Sequence, residues 1–240
     1  MRILGLDIET TGLDSSVDYV TEVGYVILDT KDPKPFLMRS EFCGIPANVE
    51  ITDEIYQLTK IKKEHLHRAA SLDHTVAQMA SDANLYGVEA IVAHNGLGFD
   101  IPFLAARSDI FRERLQHLPV IDTAIDVDYP ADCKIRNLTY LCGYHGFVNP
   151  FPHAALSDVQ AMLKVLLHYD VESIFELAKT PLRVVSAGVS YHNRELAKER
   201  GYRWESLGDK KYPKQWVKHL REARLAGEQA EAGFPVTILE

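Results

Sequence analysis

The sequence has few cysteines, no long apolar run and no internal repeat. Its three cysteines, Cys43, Cys133 and Cys142, are scattered over 240 residues and form no Cys-x-x-Cys pair, so we expect reduced thiols and no disulfide framework. No apolar segment approaches the roughly 20 residues that cross a bilayer, which argues against any membrane association. A strand-like pattern begins already at Ile3, so no targeting peptide is expected. Together these absences predict a cytoplasmic protein.

Charge is distributed unevenly along the chain. The formal net charge is −8, yet residues 183–224 hold 11 Lys and Arg against 5 Asp and Glu, which leaves −14 for the remainder. An acidic body followed by a basic segment suggests that the segment attracts phosphate groups. Because acids are interleaved with the bases, a solvated helical face is the alternative interpretation.

The first strand-like run, residues 2–9, places two acids on one side. Its apolar side chains alternate with Asp7 and Glu9, which lie about 6.5 Å apart along a strand. Residues 19–29 and 36–43 also have β-rich patterns and follow short polar turns. This order predicts an antiparallel meander.

Beyond the meander, the pattern alternates between strands and helices. Asp100 follows a strand and a Gly-containing loop and opens a helix, with Pro102 in its first turn. Ser157 is the expected N-cap of the last strong helix. The predicted elements are a helical stretch over 53–82, strands over 88–93 and 119–122, and a helix over 157–168.

The composition changes near residue 180, and we place a domain boundary between residues 176 and 182. The chain is therefore expected to divide into a domain over 1–178 and a small α+β accessory domain over 182–240. The predicted elements of the accessory domain are a strand over 183–190, helices over 192–200 and 214–230, and a final strand over 235–239.

Four carboxylates and one histidine lie on the first strand or near the start of a helix. Asp7 and Glu9 lie on the first strand, Asp100 opens a helix, and His153 lies five residues before Asp158. Taken singly, each acid could be an edge-strand residue or a helix cap. Four carboxylates that converge would repel one another unless cations lie between them. Hard oxygen ligands favour Mg²⁺ or Mn²⁺ over zinc.

Three segments resemble the motifs of the DEDDh (DnaQ-like) exonucleases, a branch of the ribonuclease H-like superfamily that includes the proofreading subunit of bacterial DNA polymerase III. They read Asp7-Ile-Glu-Thr-Thr-Gly-Leu13, Ala93-His-Asn-Gly-Leu-Gly-Phe-Asp100-Ile-Pro-Phe and His153-Ala-Ala-Leu-Ser-Asp158. The resemblance covers residues 1–178. It implies an α/β fold, with a ribonuclease H-like mixed sheet flanked by helices. The spacing from Asn95 to Asp100 is one residue longer than in the bacterial subunit and similar to exonuclease I-type enzymes.

The resemblance also implies a role for each of the motif residues. Asp7, Glu9 and Asp158 would hold one of two Mg²⁺ or Mn²⁺ ions, and Asp7 and Asp100 would help to hold the second. Such an ion pair activates water and stabilises the leaving 3′-oxygen. His153 would accept the proton of the attacking water.

The resemblance places the terminal nucleotide against four further residues. By analogy, the backbone around Thr10 and the side chain of Leu13 hold the nucleotide, and Asn95 and Phe99 shape its pocket. Core packing is the alternative role for Leu13 and Phe99.

Residues 191–217 resemble small phage and plasmid modules with an AKxxGxRW…KxW pattern, which often accompany DNA-processing proteins. Alternating aromatic and basic residues suit stacking on single-stranded bases. We expect Trp204 and Trp216 to form the core of this small domain. The residues expected to contact nucleic acid are Arg203, Lys210, Lys211 and Lys214.

The resemblance thus predicts a metal-dependent 3′-to-5′ exonuclease that acts on DNA 3′ ends, preferentially single-stranded, and releases nucleoside 5′-monophosphates, as in DNA repair. An exoribonuclease of the same branch is the first alternative, because tolerance of the 2′-hydroxyl depends on pocket shape. A non-catalytic nucleic-acid-binding subunit is the second. Retention of all five catalytic residue types argues against that second alternative.

Overall fold

The structure is a computed structural model that describes residues 1–206 and 214–239. Lys210 and Lys211 therefore lie outside the described residues. The chain forms two compact units, Met1–Phe175 and Glu176–Glu240. Among the residues described, no helix has both the length and the apolar character needed to span a bilayer.

The first unit contains five strands and the helices that flank them. The strands are β1 (Arg2–Thr10), β2 (Val20–Asp29), β3 (Asp32–Phe42), β4 (Ala90–Ala93) and β5 (Val120–Asp122). The helices are α1 (Asp53–Thr59), α2 (Lys63–Leu66), α3 (Leu72–Tyr86), α4 (Asp100–Arg107), α5 (Asp109–Arg114), α6 (Leu138–Tyr144) and α7 (Ala155–Leu166). The next helix, α8 (Val171–Ala178), includes the boundary between the two units.

The strands form one mixed sheet in the order β3-β2-β1-β4-β5. β1, β2 and β3 are antiparallel neighbours, which confirms the predicted meander. β4 pairs in parallel with both β1 and β5. In the β1–β2 register, Asp7 lies opposite Gly24 and Glu9 lies opposite Glu22. The expected α/β class, a mixed sheet flanked by helices, is confirmed.

The two faces of the sheet are covered differently. The apolar side of β1, with Leu4 and Leu6, packs in a buried core against α3, α4 and α5. The opposite face lies directly under α7. A β-carbon built on Gly24 would lie 2.4 Å from the carbonyl carbon of Ala155, and one on Gly5 would lie 2.8 Å from Val159. The two glycines therefore permit the close approach of α7, which brings its N-terminal turn to the acidic side of β1.

Two details of the first unit differ from the sequence prediction. The helical stretch expected over 53–82 is three helices, because Lys60 adopts a left-handed conformation (φ 59°) that ends α1, and Ser71 caps a new helix at α3. Ser157 is not an N-cap: α7 begins at Ala155 after Ala154, and the Ser157 hydroxyl donates to Asn149 Oδ1 at 2.6 Å.

The second unit is a small α+β fold. Its elements are β6 (Leu182–Ala187), a 3₁₀ turn (Tyr191–Asn193), α9 (Arg194–Glu199), β7 (Arg203–Glu205), β8 (Gln215–Arg221), α10 (Glu222–Glu231) and β9 (Val236–Ile238). The strands form a sheet of antiparallel pairs in the order β7-β8-β6-β9, around a core that includes Val185, Tyr202 and Leu220.

The helix predicted over 214–230 is wrong in its first half. Gln215–Arg221 is instead a strand that pairs with both β6 and β7, and the helix begins at Glu222. The expectation for the tryptophans holds only in part. Trp216 packs against the core, whereas Trp204 is 50% exposed, with its ring 5.4 Å from that of Trp216.

Candidate active site

The acidic side of β1 is joined by the first residue of α4. The Ile8 N–H donates a hydrogen bond of 3.0 Å to Asp100 Oδ1, although the two residues are 92 positions apart. Asp100 is buried, and Asp7 and Glu9 are partly buried. This bond orients one carboxylate oxygen of Asp100 toward the backbone of β1. Three of the predicted acids are thereby brought to one region.

His153 and Asp158 enter the site from the loop that precedes α7. The His153 N–H donates to Asp158 Oδ2 at 2.8 Å, and the side-chain amide of Asn149 donates to the other oxygen. His153 has a left-handed backbone (φ 63°), which turns the chain into the helix. Ligand atoms of Glu9, His153 and Asp158 all lie within 4.8 Å of one another. Three of the five residues predicted as catalytic therefore form one cluster.

Burial and like charges perturb the acids of β1. Burial raises the pKa of Asp7 well above its usual range, and the nearby carboxylates of Asp100 and Glu9 raise it further. Burial also raises the pKa of Glu9 to about 8, with added repulsion from Asp158 and Glu22. Without a compensating cation, this cluster favours bound protons.

For Asp100 and Asp158, burial and backbone hydrogen bonds shift the pKa in opposite directions. Burial raises the pKa of Asp100 to about 7, while the Ile8 N–H bond acts in the opposite direction. Burial likewise raises the pKa of Asp158, and the His153 N–H opposes that shift. Converging hard oxygen donors with excess negative charge are the donor set that Mg²⁺ and Mn²⁺ prefer. The residues present therefore fit a divalent metal centre.

Glu22 is a further acid of the site that the sequence analysis missed. It is 6% exposed and lies opposite Glu9 in the β1–β2 register. One of its oxygens accepts the N–H of Ala155 at 3.3 Å, and the other accepts the Ser40 hydroxyl. Glu22 thus joins the start of α7 to β2. Alternation in β2 puts Glu22 on the same side as Gly24, but only the strand register shows that this side also carries Asp7 and Glu9.

Asn149 is a second residue that the sequence analysis missed. Besides donating to Asp158, it accepts the Phe151 N–H at 3.2 Å and the Ser157 hydroxyl through Oδ1. The loop before His153 is therefore tied to the first turn of α7. Nothing in the sequence around Asn149 marks this role.

A buried acid shapes the loop between β4 and α4. Asp122 is fully buried and accepts the N–H groups of Asn95 at 2.9 Å and Leu97 at 3.0 Å. Burial raises its pKa, and these N–H groups oppose the shift. Asn95 itself has a left-handed backbone (φ 59°) and an exposed side chain. Asp122 thus fixes the loop that leads to Asp100.

The predicted nucleotide-contacting residues differ in accessibility. Thr10 is buried, and its hydroxyl donates to the carbonyl of Gly12. Leu13 is 85% exposed, so the alternative interpretation of Leu13 as a core residue is wrong. Phe99 is partly buried against the core, with its ring 5.4 Å from that of Phe103. Core packing therefore accounts for Phe99 at least in part.

In the second unit, much of the positive charge is neutralised by acids of the same unit. Glu228 pairs with both Arg200 and Lys218 at 3.0 Å. Arg183 pairs with Glu222 at 3.2 Å. The two described residues predicted to contact nucleic acid, Arg203 and Lys214, are both exposed.

Comparisons with known protein families cover both units. A model of the RNase_T family, described as exonuclease, matches residues 4–166. A model described as a domain of unknown function (DUF8626) matches residues 183–239.

Two curated relatives are DNA polymerases III of the PolC type. The one from Clostridium perfringens is 26% identical over 251 residues, which cover 95% of this chain and 17% of the relative. The one from Ureaplasma parvum is 33% identical over 119 residues, which cover 49% of this chain and 8% of the relative. The chain thus spans less than a fifth of the length of either relative.

Solved structures share the fold at low sequence identity. E. coli exonuclease I in complex with a dT13 oligonucleotide matches with a TM-score of 0.59 and 15% identity, over 82% of this chain and 50% of that one. The nuclease domain of 3′hExo, a DEDDh family member bound to rAMP, matches with a TM-score of 0.57 and 16% identity, over 70% and 90%. The mixed-sheet fold of this chain is therefore shared with these solved structures.

Proposed function

This chain belongs to the exonuclease family, in the DEDDh branch of the ribonuclease H-like superfamily, and from this premise we propose that it removes nucleotides from single-stranded DNA 3′ ends. The products are nucleoside 5′-monophosphates. The observation that carries the proposal is the convergence of Asp7, Glu9, Asp100 and Asp158 with His153.

We assign the metal ligands from the same convergence. Asp7, Glu9 and Asp158 would hold one Mg²⁺ or Mn²⁺, and Asp7 and Asp100 would help to hold a second. When bound, such ions make water a better nucleophile and stabilise charge on the leaving 3′-oxygen. The raised pKa values of Asp7 and Glu9 support this assignment, because cations would replace protons among these acids.

The protein's own residues then position and deprotonate the nucleophile. His153 is exposed, and Asp158 accepts its backbone N–H, so the imidazole can accept a proton from water. The exposed Leu13 and Asn95 are available to the terminal nucleotide. Because Phe99 packs partly against the core, we expect it to form the inner wall of the nucleotide pocket.

The polymerase relatives and two structural neighbours bear on the choice between DNA and RNA. The polymerase relatives and exonuclease I with its dT13 ligand favour DNA. An exoribonuclease is the second candidate, because another neighbour is described as a 3′-exonuclease that recognises a histone mRNA stem-loop. We further propose a role in cytoplasmic DNA repair, with which the three buried free thiols are compatible.

The test is a panel of 5′-labelled substrates: single-stranded DNA, duplex DNA and RNA of one sequence, each with Mg²⁺, Mn²⁺ or EDTA. We expect stepwise shortening from the 3′ end, fastest on single-stranded DNA and absent in EDTA. Asp7→Asn should abolish shortening while the circular dichroism spectrum stays that of the wild type. Faster cleavage of RNA would favour the second candidate. Binding without cleavage would instead indicate a non-catalytic subunit.

A further inference from the structure

We propose that Phe151 is a substrate-binding residue whose ring stacks on an unpaired base beside the scissile phosphate. The inference rests on the proposed exonuclease function. Phe151 is 69% exposed, more than any other Phe, Tyr or Trp in Met1–Phe175. Exposed aromatic rings beside a nucleic-acid site are the surfaces on which single-stranded bases stack, because every base has a flat π face.

The backbone that presents this ring is held in place. Phe151 lies between Pro150 and Pro152, whose rings restrict the backbone dihedral φ. Its N–H donates to Asn149 Oδ1, and the amide of the same Asn149 donates to Asp158. The backbone at Phe151 therefore loses little conformational entropy when a base stacks on the ring, which favours binding.

The same loop leads directly into the reacting groups. His153 follows Phe151 by two residues, and its ring lies with Glu9 and Asp158 in the cluster whose ligand atoms are within 4.8 Å of one another. The ring of Phe151 and the imidazole of His153 therefore project from one short loop. When the phosphate of a nucleotide lies at the imidazole of His153, the bases on either side of that phosphate lie near the loop that carries Phe151.

The experiment compares kcat/KM for three single-stranded oligonucleotides with the wild type, Phe151→Ala and Phe151→Trp. One oligonucleotide is intact, one has an abasic residue at the 3′ end, and one has it at the penultimate position. Leu85→Ala is the control, because Leu85 is a similarly exposed apolar residue (73%) at the end of α3. The next residue, Tyr86, accepts a hydrogen bond from Arg2, which lies at the opposite end of β1 from Glu9.

We expect Phe151→Ala to lower kcat/KM on the intact oligonucleotide by about 5- to 100-fold, mainly through KM, which corresponds to the loss of one base–aromatic stack. Phe151→Trp should keep most of the activity, and Leu85→Ala all of it. On the substrate that lacks the stacked base, the wild type and Phe151→Ala should become equal, and the position of that abasic residue identifies the base.

Two results would overturn the inference. One is a Phe151→Ala enzyme with wild-type kcat/KM on the intact oligonucleotide. The other is an equal loss on all three substrates, which would show that Phe151 acts on the loop structure or on a protein contact rather than on a base. Failure of the proposed function is a different observation, since the wild type would then leave the intact oligonucleotide uncut.

Discussion

Replacing Glu9 by Gln should make the metal-free protein more stable at pH 8 than the wild type, although it should impair cleavage. Burial and the carboxylates of Asp158 and Glu22 raise the pKa of Glu9 from 4.5 to about 8. The folded protein therefore binds a proton at Glu9 that the unfolded chain releases. With this sign, the stability that Glu9 contributes is fully present below pH 4.5 and is lost as pH rises through the window from 4.5 to about 8.

The size of the effect follows from the width of that window. One proton changes the free energy of unfolding by about 1.4 kcal/mol per pH unit. Between pH 5 and pH 8 the ceiling for Glu9 alone is therefore about 4 kcal/mol. Because Glu9 shares its protons with neighbouring acids, we expect about 1–3 kcal/mol. Gln keeps the shape of the side chain and removes this dependence on pH.

The assay is urea unfolding in EDTA at pH 5, 6, 7 and 8 for the wild type and Glu9→Gln. Glu54→Gln, on the exposed side of α1, controls for the loss of one carboxylate. The wild type should lose more stability between pH 5 and pH 8 than Glu9→Gln, and Glu54→Gln should follow the wild type. Adding Mg²⁺ at pH 8 should stabilise the wild type more than Glu9→Gln. Parallel pH profiles for the wild type and Glu9→Gln would refute the electrostatic reasoning.

Three further predictions concern other parts of the chain. His153→Ala should lower kcat by about 10²–10⁴-fold with little change in the Mg²⁺ dependence, whereas lost metal affinity would make His153 a ligand. Asp122→Asn should destabilise the protein by about 1–3 kcal/mol in urea unfolding, because an amide cannot accept both the Asn95 and Leu97 N–H groups as a carboxylate does. An unchanged free energy of unfolding would contradict this role of Asp122. Arg203→Ala combined with Lys214→Ala should raise KM for single-stranded DNA at low salt and flatten its salt dependence, and identical slopes would make these bases a solvated face.

Local patterns were sufficient where structure depends on neighbouring residues. The two-residue period of β1 predicted which side carries Asp7 and Glu9, and the strand–loop–helix pattern predicted that Asp100 opens a helix. Local patterns failed where pairing is distant. Gln215–Arg221 has a sequence compatible with a helix but forms a strand, because β6 offers it a partner more than 30 positions away. Strand pairing of this kind overrides local propensity.

The sequence by itself determined the mixed-sheet class, and it supplied the residue types that we propose as catalytic and their order along the chain. Only the tertiary structure decided how those residues are held. The bonds from Ile8 to Asp100 and from Ala155 to Glu22 join residues 92 and 133 positions apart, and no local pattern encodes such partners. The close approach of α7 depends likewise on Gly24, whose missing β-carbon matters only because the helix crosses there. The sequence states which side chain occupies each position, whereas the register of paired strands and the long-range hydrogen bonds form only when the whole chain packs.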